Sequence, residues 1–484
     1  MNYETVIGLE VHLQLATKTK AFCGCSTKFG SLPNSQTCPV CLGFPGSLPV
    51  LNEQAFLFSI KVALALDCRI QDLVKFDRKN YYYPDLPKNF QISQYDMPLS
   101  YNGSIEIAVK DELRKKIRIR RVHLEEDAGK LIHPKGESYS LVDYNRSGMP
   151  LLEVVTEPDM NSPDEAYEYL ARLKAILEYL KVSDCDMEKG SLRCDANVSV
   201  RPQGSNKLGT KVELKNMNTF KGVRSALEYE VKRQTSALEE KASIVQETRL
   251  WNADKQVTTS MRSKEEAEDY RYLPEPDLVP FVVDKSLIQQ VRESLPELPE
   301  ARQERFIKIY EISRYDANVL TSQVDLADYF ETCVKLYANP KRIANWLQGD
   351  IMAALNEKAI NIKELGLSSD RFAGLLKMID DGSISGKMAK DILREAIETK
   401  IDPQEIVNRK GLSQITDPKL IEGLVDLIIK REGKSANDYK AGKTNALTFL
   451  IGQIMKESRG KANPALVNEI LRKRLGTDDN EIKL

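Results

Sequence analysis

The sequence predicts an α+β chain, a mixed strand-and-helix N-terminal region followed by almost continuous helix, and three observations carry that expectation. Short segments with strict apolar alternation recur between residues 3 and 220, the period-2 signature of half-buried strands. Two strong amphipathic helix patterns are interleaved with them. Beyond the proline-punctuated stretch ESLPELPEARQERF (293–306) the apolar spacing becomes helical nearly throughout. At 484 residues the chain is too long for one core, so two to three domains are expected.

The first strand is TVIGLEVHLQL. It puts Ile7, Leu9, Val11, Leu13 and Leu15 on one face and Glu10, His12 and Gln14 on the other. The same construction recurs in RVHLEEDAGK with Glu125. In SLRCDANVSVRP, Arg193, Asp195 and Asn197 lie opposite Cys194, Ala196 and Val198, and GTKVELKNMNTF presents Lys211, Glu213 and Lys215. If these strands share a sheet, several carboxylates and one imidazole converge. Carboxylates gathered in a partly desolvated place repel one another and raise each other's pKa, and a hard divalent cation such as Mg²⁺ or Mn²⁺ is the usual remedy. The plainer reading is a solvated strand face whose acids pair with nearby Lys and Arg.

The composition excludes some classes. With 70 Lys and Arg against 71 Asp and Glu, global charge does not mark a nucleic-acid binder, and RNA contact would need local patches. No charged n-region with an apolar h-region follows Met1, and no apolar run is long enough to span a bilayer. A soluble, cytoplasmic protein is therefore expected. Cys68, Cys185, Cys194 and Cys333 are scattered singly and read as buried thiols. Cys23, Cys25, Cys38 and Cys41 instead form C-x-C-x12-C-x-x-C, two chelating pairs across a hairpin-sized loop. This spacing matches a closed structural Zn²⁺ site, with four reduced thiols as the alternative.

Within the N-terminal region, Ser162-Pro163-Asp164-Glu165 reads as a capping box ahead of the Leu170, Leu173, Leu177 and Leu180 stripe, and a second helix is expected over VRSALEYEVKRQTSALEE. YRYLPEPDLVPFVVD reads as extended. A further break at TKIDPQE divides the helical half, giving expected domains 1–292, 293–402 and 403–484. The last helices carry Lys443, Lys456, Arg459, Lys461, Arg472, Lys473 and Arg474, either a phosphate-tracking patch or a solvated helix face. The basic run LRKKIRIRR (113–121) reads equally as an RNA guide or a guarded edge strand. AGKT at 441–444 and GSNKLGTK at 204–211 lack the residues of a P-loop. Any ATP handling must use the acidic strands.

These motifs together carry a resemblance. GLEVH (8–12), KFDRKNYYYPDLPKNFQISQYD (75–96), HLEEDAGK (123–130), DYNRSGMPLLEVVTEPD (143–159), EKGSLRCDANVS (188–199) and ELKNMNTF (213–220) resemble the GatB family, the B component of tRNA-dependent amidotransferases, and the likeness runs on to LIGQIMKESRGKANPALVN near the C-terminus. It implies a cradle-shaped catalytic domain with a largely antiparallel sheet, a helical domain and a YqeY-like helical tail that binds tRNA. The implied chemistry is ATP- and Mg²⁺-dependent phosphorylation of the side-chain carboxylate of Glu-tRNA(Gln) or Asp-tRNA(Asn), followed by amidation. The ammonia would come from glutamine hydrolysed by an amidase subunit (GatA), with a small subunit (GatC) joining the two. Many members of the family lack all four cysteines, so the zinc expectation rests on spacing alone.

On that reading Glu10, His12, Glu125 and Glu213 are the expected catalytic and Mg²⁺ residues, with Asp195 as a fifth ligand and Glu153 in reserve. Lys79, Arg193 and Lys215 are expected on phosphate and substrate, and Tyr81, Tyr82 and Tyr83 suit stacking on adenine or the tRNA terminus. Lys443, Lys456, Arg459 and Lys461 are expected to contact tRNA. The rival expectation is a non-catalytic tRNA-binding adaptor whose acidic strands hold a structural ion.

Overall fold

The computed structural model describes residues 2–109, 113–263, 270–411, 417–458 and 462–476. Arg459 and Lys461 of the basic tail lie outside the described residues. The chain divides into two compact units, Met1–Ala301 and Arg302–Leu484.

The first unit is built on a nine-stranded sheet. Its strands in chain order are β1 (Tyr3–Gln14), β2 (Arg69–Ile70), β3 (Ser100–Ala108), β4 (Arg114–Glu126), β5 (Pro150–Thr156), β6 (Leu192–Pro202), β7 (Val212–Lys215), β8 (Glu247–Asn252) and β9 (Val257–Ser263). Across the sheet they run β9-β8-β7-β6-β1-β5-β4-β3-β2, so the N-terminal strand is central. Among the described residues every neighbouring pair is antiparallel except β7 with β8.

Alternation decides the layers. Ile7, Leu9, Val11 and Leu13 are buried in one cluster with side chains of α1 (Glu53–Ala65), α2 (Pro163–Leu180) and α3 (Phe220–Glu239). Each such aliphatic side chain contributes roughly 1.5–3 kcal/mol by leaving water. Ser162 caps α2 as expected, accepting from the Glu165 amide, but the Glu165 carboxylate turns back to the Asn161 amide rather than to that of Ser162.

One irregularity aims the site. Val155 pairs with Arg121 and Thr156 with Ile119, so Arg120 is an extra residue on β4. Ile117 and Ile119 face the core; without the bulge Arg121, His123 and Glu125 would follow them. The bulge turns those three to the opposite face and leaves Val122 and Leu124 buried in the core. Beside it the Leu9 amide donates to Thr156 Oγ1 at 2.9 Å.

The run Leu113–Arg121 is not an edge strand, because β4 lies between β5 and β3. Nor is it an open basic patch. Arg114 pairs with Glu106 and Glu300, Lys115 with Glu165, Arg118 with Asp159 and Arg120 with Glu157.

In the second unit one apolar cluster runs from Phe306 to Val407 and another from Ile421 to Leu475. Ile406 and Val407 of the Pro403–Lys410 helix belong to the first, so that helix packs with the helices before it, not with the tail. No helix among the described residues is long and apolar enough to cross a membrane.

A fully buried carboxylate fastens β8 and β9 to α3. Glu230 accepts from Arg233 (2.6 Å), Gln234 (2.9 Å) and Thr258 (3.1 Å), with Arg249 at 3.5 Å. Glu230→Ala strands these donors, and we expect a loss of about 3 kcal/mol, as for other broken buried pairs. Denaturant unfolding monitored at Trp251, on β8, measures it.

Candidate active site

Strand register assembles a polar row across the sheet. His123 on β4 pairs with Glu153 on β5, Glu153 with His12 on β1, and His12 with Arg193 on β6. His12 Nε2 lies 3.6 Å from Glu153 Oε2 and 3.9 Å from Glu125 Oε1. One donor atom from each of His12, Glu125 and Glu153 falls within 4.8 Å of the others. An imidazole nitrogen and two carboxylate oxygens at that separation fit a divalent cation that accepts hard donors.

His123 is the residue that sequence reading missed. It is buried, with Nε2 3.1 Å from Glu153 Oε2 and 3.5 Å from Glu125 Oε2. The signal for it was its position two residues before Glu125 on the same strand face. The site thus holds two imidazoles, not one. Burial opposes the charge on His123, but the two carboxylates outweigh it and push its pKa up to about 9. Glu153 is held well below the carboxylate range despite burial, chiefly by His123. Ser93 donates to Glu125 Oε2 at 3.1 Å.

Lys79 comes from a small sheet in which Asp77–Asn80 lies between Arg271–Pro274 and Phe90–Ser93. Burial lowers its pKa, and the charges of Glu125 and Glu153 together with Tyr272 and Tyr270 more than restore it, leaving it raised. Its Nζ is 4.6 Å from the Tyr270 ring centroid and 5.9 Å from that of Tyr81. Of the tyrosine run, Tyr81 is half-buried beside this lysine, whereas Tyr82 and Tyr83 are exposed. Arg193 is anchored by Asp127 (2.7 Å), which also accepts from Gln14 (2.8 Å).

The remaining expected ligands lie outside the His12 cluster. Glu10 accepts from Asn197 (2.9 Å), Asp195 is paired with Lys215, and Glu213 lies 3.4 Å from Lys215 while accepting from Thr248 at 2.7 Å. The reserve candidate Glu153 is in the cluster, and Glu10, Asp195 and Glu213 form a second acidic group along the same face. Lys215 is raised above the usual lysine range, burial notwithstanding, by Asp195 and Glu213. A cavity of about 430 Å³ opens beside Glu10, lined by the apolar side chains of Val6, Val155 and Pro158 and edged by Arg120, Asn197, Thr210, Lys211 and Gln246. That is the size and mixture of a small-ligand site.

The four cysteines do meet. Their sulfurs lie within 4.8 Å of one another, and Zn–S bonds of about 2.3 Å would need them only about 3.8 Å apart. Cys38 caps the short Pro39–Leu42 turn, its amide donating to Cys41 Sγ (3.2 Å), and Gly43 ends it at φ +72°, where a side chain would also strike Lys88. The Cys23 hydrogen bond outweighs burial and holds Cys41 down to about 4, while burial pushes Cys25 up to about 11. Cys68, Cys185, Cys194 and Cys333 are buried singly, as expected.

In the tail, Lys443 pairs with Asp438, and Arg474 with Glu422 and Asp426. Its positive charge is partly neutralised internally.

A helix-backed sheet whose open face carries paired acids, imidazoles and cations beside a ligand-sized cavity defines an enzyme-like α+β domain joined to a helical unit. Residues 5–289 match the GatB/GatE catalytic domain, and residues 328–475 match the GatB domain. The chain is 55% identical over 476 residues to the GatB component of the aspartyl/glutamyl-tRNA(Asn/Gln) amidotransferase of Carboxydothermus hydrogenoformans, covering 98% of this chain and 99% of that one. It is 55% identical over 475 residues to the corresponding protein of Caldanaerobacter subterraneus subsp. tengcongensis, and 50% identical over 475 residues to that of Brevibacillus brevis, each covering 98% of this chain and 99–100% of the relative. The chain belongs to the GatB family.

The raised pKa of His123 has a sign that can be checked. Its stabilising contribution is full below the ordinary histidine value of about 6.5 and is lost as pH rises through about 9. The metal-free protein is therefore expected to lose on the order of 2–3 kcal/mol across that window, and His123→Gln to flatten the loss. Melting temperature against pH in the presence of chelator reads both.

Proposed function

We propose that the chain is the GatB component of an aspartyl/glutamyl-tRNA amidotransferase, and that its polar sheet face activates the side-chain carboxylate of the mischarged amino acid. The observation that carries this reading is the cluster of His12, Glu125 and Glu153, whose carboxylates act electrostatically on Lys79, with Arg193 beside His12, on a chain matched end to end by GatB proteins. A carboxylate is a poor acyl donor because oxide would have to leave. Phosphorylation by ATP turns that oxygen into phosphate, which ammonia can displace.

His12, Glu125 and Glu153 would hold Mg²⁺, which supplies charge neutralisation for a transferring phosphoryl group. Lys79, Arg193 and Lys215 are the fixed cations that would bind phosphate oxygens and the substrate carboxylate. The cavity beside Glu10 is the volume we assign to the nucleoside of ATP, Val6, Val155 and Pro158 offering a purine apolar contact and Asn197, Thr210 and Gln246 its polar edges. Ser93 and His123 would orient the two carboxylates. Partners on this reading are an amidase subunit, a small joining subunit and the charged tRNA, in the cytoplasm. The four cysteines would hold a structural Zn²⁺.

One observation favours the adaptor alternative. Glu125 and Glu153 already face two compensating cations, His123 and Lys79, so the acids do not by themselves require a metal. ATP hydrolysis by the assembled complex separates the readings: dependence on Glu-tRNA(Gln) or Asp-tRNA(Asn) supports catalysis, and its absence supports the adaptor. Both tRNAs should be assayed.

Within the complex, Glu125→Gln should lower amide formation on tRNA by at least about 100-fold, the scale of losing a positioned charge stabiliser, while glutamine hydrolysis continues. Glu213→Gln, outside the cluster, should cost less. Normal transamidation in Glu125→Gln would remove that residue from the active site.

The tail is our candidate for gripping tRNA beyond its shared CCA end, since phosphate contacts position RNA and shape supplies selectivity. Because Ile406 and Val407 pack with the preceding helices, the informative truncation begins at residue 417, not 403. We expect a higher KM for charged tRNA and a shallower salt dependence of binding, with ammonia production unchanged. Unaltered tRNA binding would make the tail a solvated or assembly element.

A further inference from the structure

Lys20 is fully buried, yet among the described residues no carboxylate forms an ion pair with its ammonium. Its hydrogen-bond partners are Cys41 Sγ at 3.6 Å and the Tyr144 carbonyl at 3.3 Å. A cation withdrawn from water needs a compensating anion, and a carbonyl dipole alone is a weak substitute. The Glu126 carboxylate also reaches the Gly148 neighbourhood but is taken by Lys88 and the Ile92 amide, which leaves the Cys41 sulfur as the anion in contact with Lys20. Four thiolates around a divalent ion leave the centre with two excess negative charges in a low-dielectric place, where only hydrogen bonds and a nearby cation can offset them. Cys41 receives both kinds of help, from the Cys38 amide at 3.2 Å and from Lys20.

The same lysine sits at a mechanical junction. The Ala21 amide donates to the Gly148 carbonyl (2.8 Å), and the Gly148 amide to the carbonyl of Asp127 (2.9 Å), the residue whose side chain anchors Arg193. Across the cysteine loop, the Asn34 amide donates to the Asp143 carboxylate (3.0 Å), and Asn145 donates to the Leu32 carbonyl (2.7 Å). The loop that carries the cysteines is thus docked on the 142–148 turn, with Lys20 bridging the two from inside.

We propose that Lys20 is the charge-compensating partner of the four-cysteine metal centre, a positioning residue that offsets the tetrathiolate charge at Cys41 and ties the centre to the Tyr144–Gly148 turn. This rests on the zinc reading of the four cysteines. It assigns the lysine a task that a neutral side chain of equal length cannot perform.

The test titrates Co²⁺ and then Zn²⁺ into the full chain stripped with chelator, following the sulfur-to-cobalt charge-transfer absorption. Wild type should bind one equivalent with a tetrathiolate spectrum. Lys20→Met should keep the stoichiometry and bind about 10–100-fold more weakly, the range seen when a partner of a metal ligand is removed, and Lys20→Arg should recover part of the loss. In a Cys41→Ser background the Lys20→Met effect should vanish. A merely structural lysine would instead lower the melting temperature of the metal-free protein and leave intrinsic metal affinity alone. If Lys20→Met does not fold, the Lys20→Arg and Lys20→Gln affinities make the same comparison. Absence of metal binding by wild type overturns the zinc reading and this inference with it. Tight binding by wild type and Lys20→Met alike overturns the inference alone, as does a Lys20→Met effect that persists without Cys41.

Discussion

Alternation along Tyr3–Gln14 sends Ile7, Leu9, Val11 and Leu13 into a dry core and turns Glu10, His12 and Gln14 the other way, and a one-residue slip would exchange the two sets. Because this strand is central, its register on β5 and β6 sets which polar residues meet. Glu153 and Arg193 stand either side of His12 because of that pairing. The helices α1, α2 and α3 then have one consequence for the site: by burying the apolar face they leave only the opposite face open for chemistry.

That face concentrates more charge than burial tolerates without compensation, and the chain uses one strategy in two places. Glu125 and Glu153 are satisfied by His123, Ser93 and the nearby Lys79 ammonium. Around the four cysteines, Cys41 is satisfied by Cys23, the Cys38 amide and Lys20. At the carboxylates the supporting Lys79 comes from a separate small sheet, whereas at the cysteines Lys20 belongs to the segment of the first cysteine pair and reaches across to Cys41. A fixed cation of this kind preorganises the anionic groups, so that little rearrangement is needed when a substrate or ion brings further charge.

Family membership and geometry bear on different parts of this account. The matches cover the sheet-rich unit and most of the helical unit, and they establish relationship. Side-chain proximity, not family membership, singles out His12, Glu125 and Glu153 rather than Glu10, Asp195 and Glu213 as a compact set of potential metal donors among the described residues.

Much was legible in the sequence because it depends on local periodicity. The strand faces at 5–15 and 192–202, the capped helix at 163–180 and the pairing of the four cysteines follow from spacing of two, three or four residues, which backbone geometry translates directly into direction. What only the tertiary structure decided depends on strand order and on one inserted residue. The Arg120 bulge changes the phase of β4, so His123 and Glu125 reach the site instead of the core, and no local pattern announces a bulge. Likewise the pairing of β4 with β5 brings Glu153 into the first cluster, and folding brings Cys41 and the Tyr144 carbonyl to Lys20. The sequence by itself determined which faces are polar; the long-range pairings determined which polar groups touch, because contacts between residues far apart in the chain are set by packing and not by periodicity.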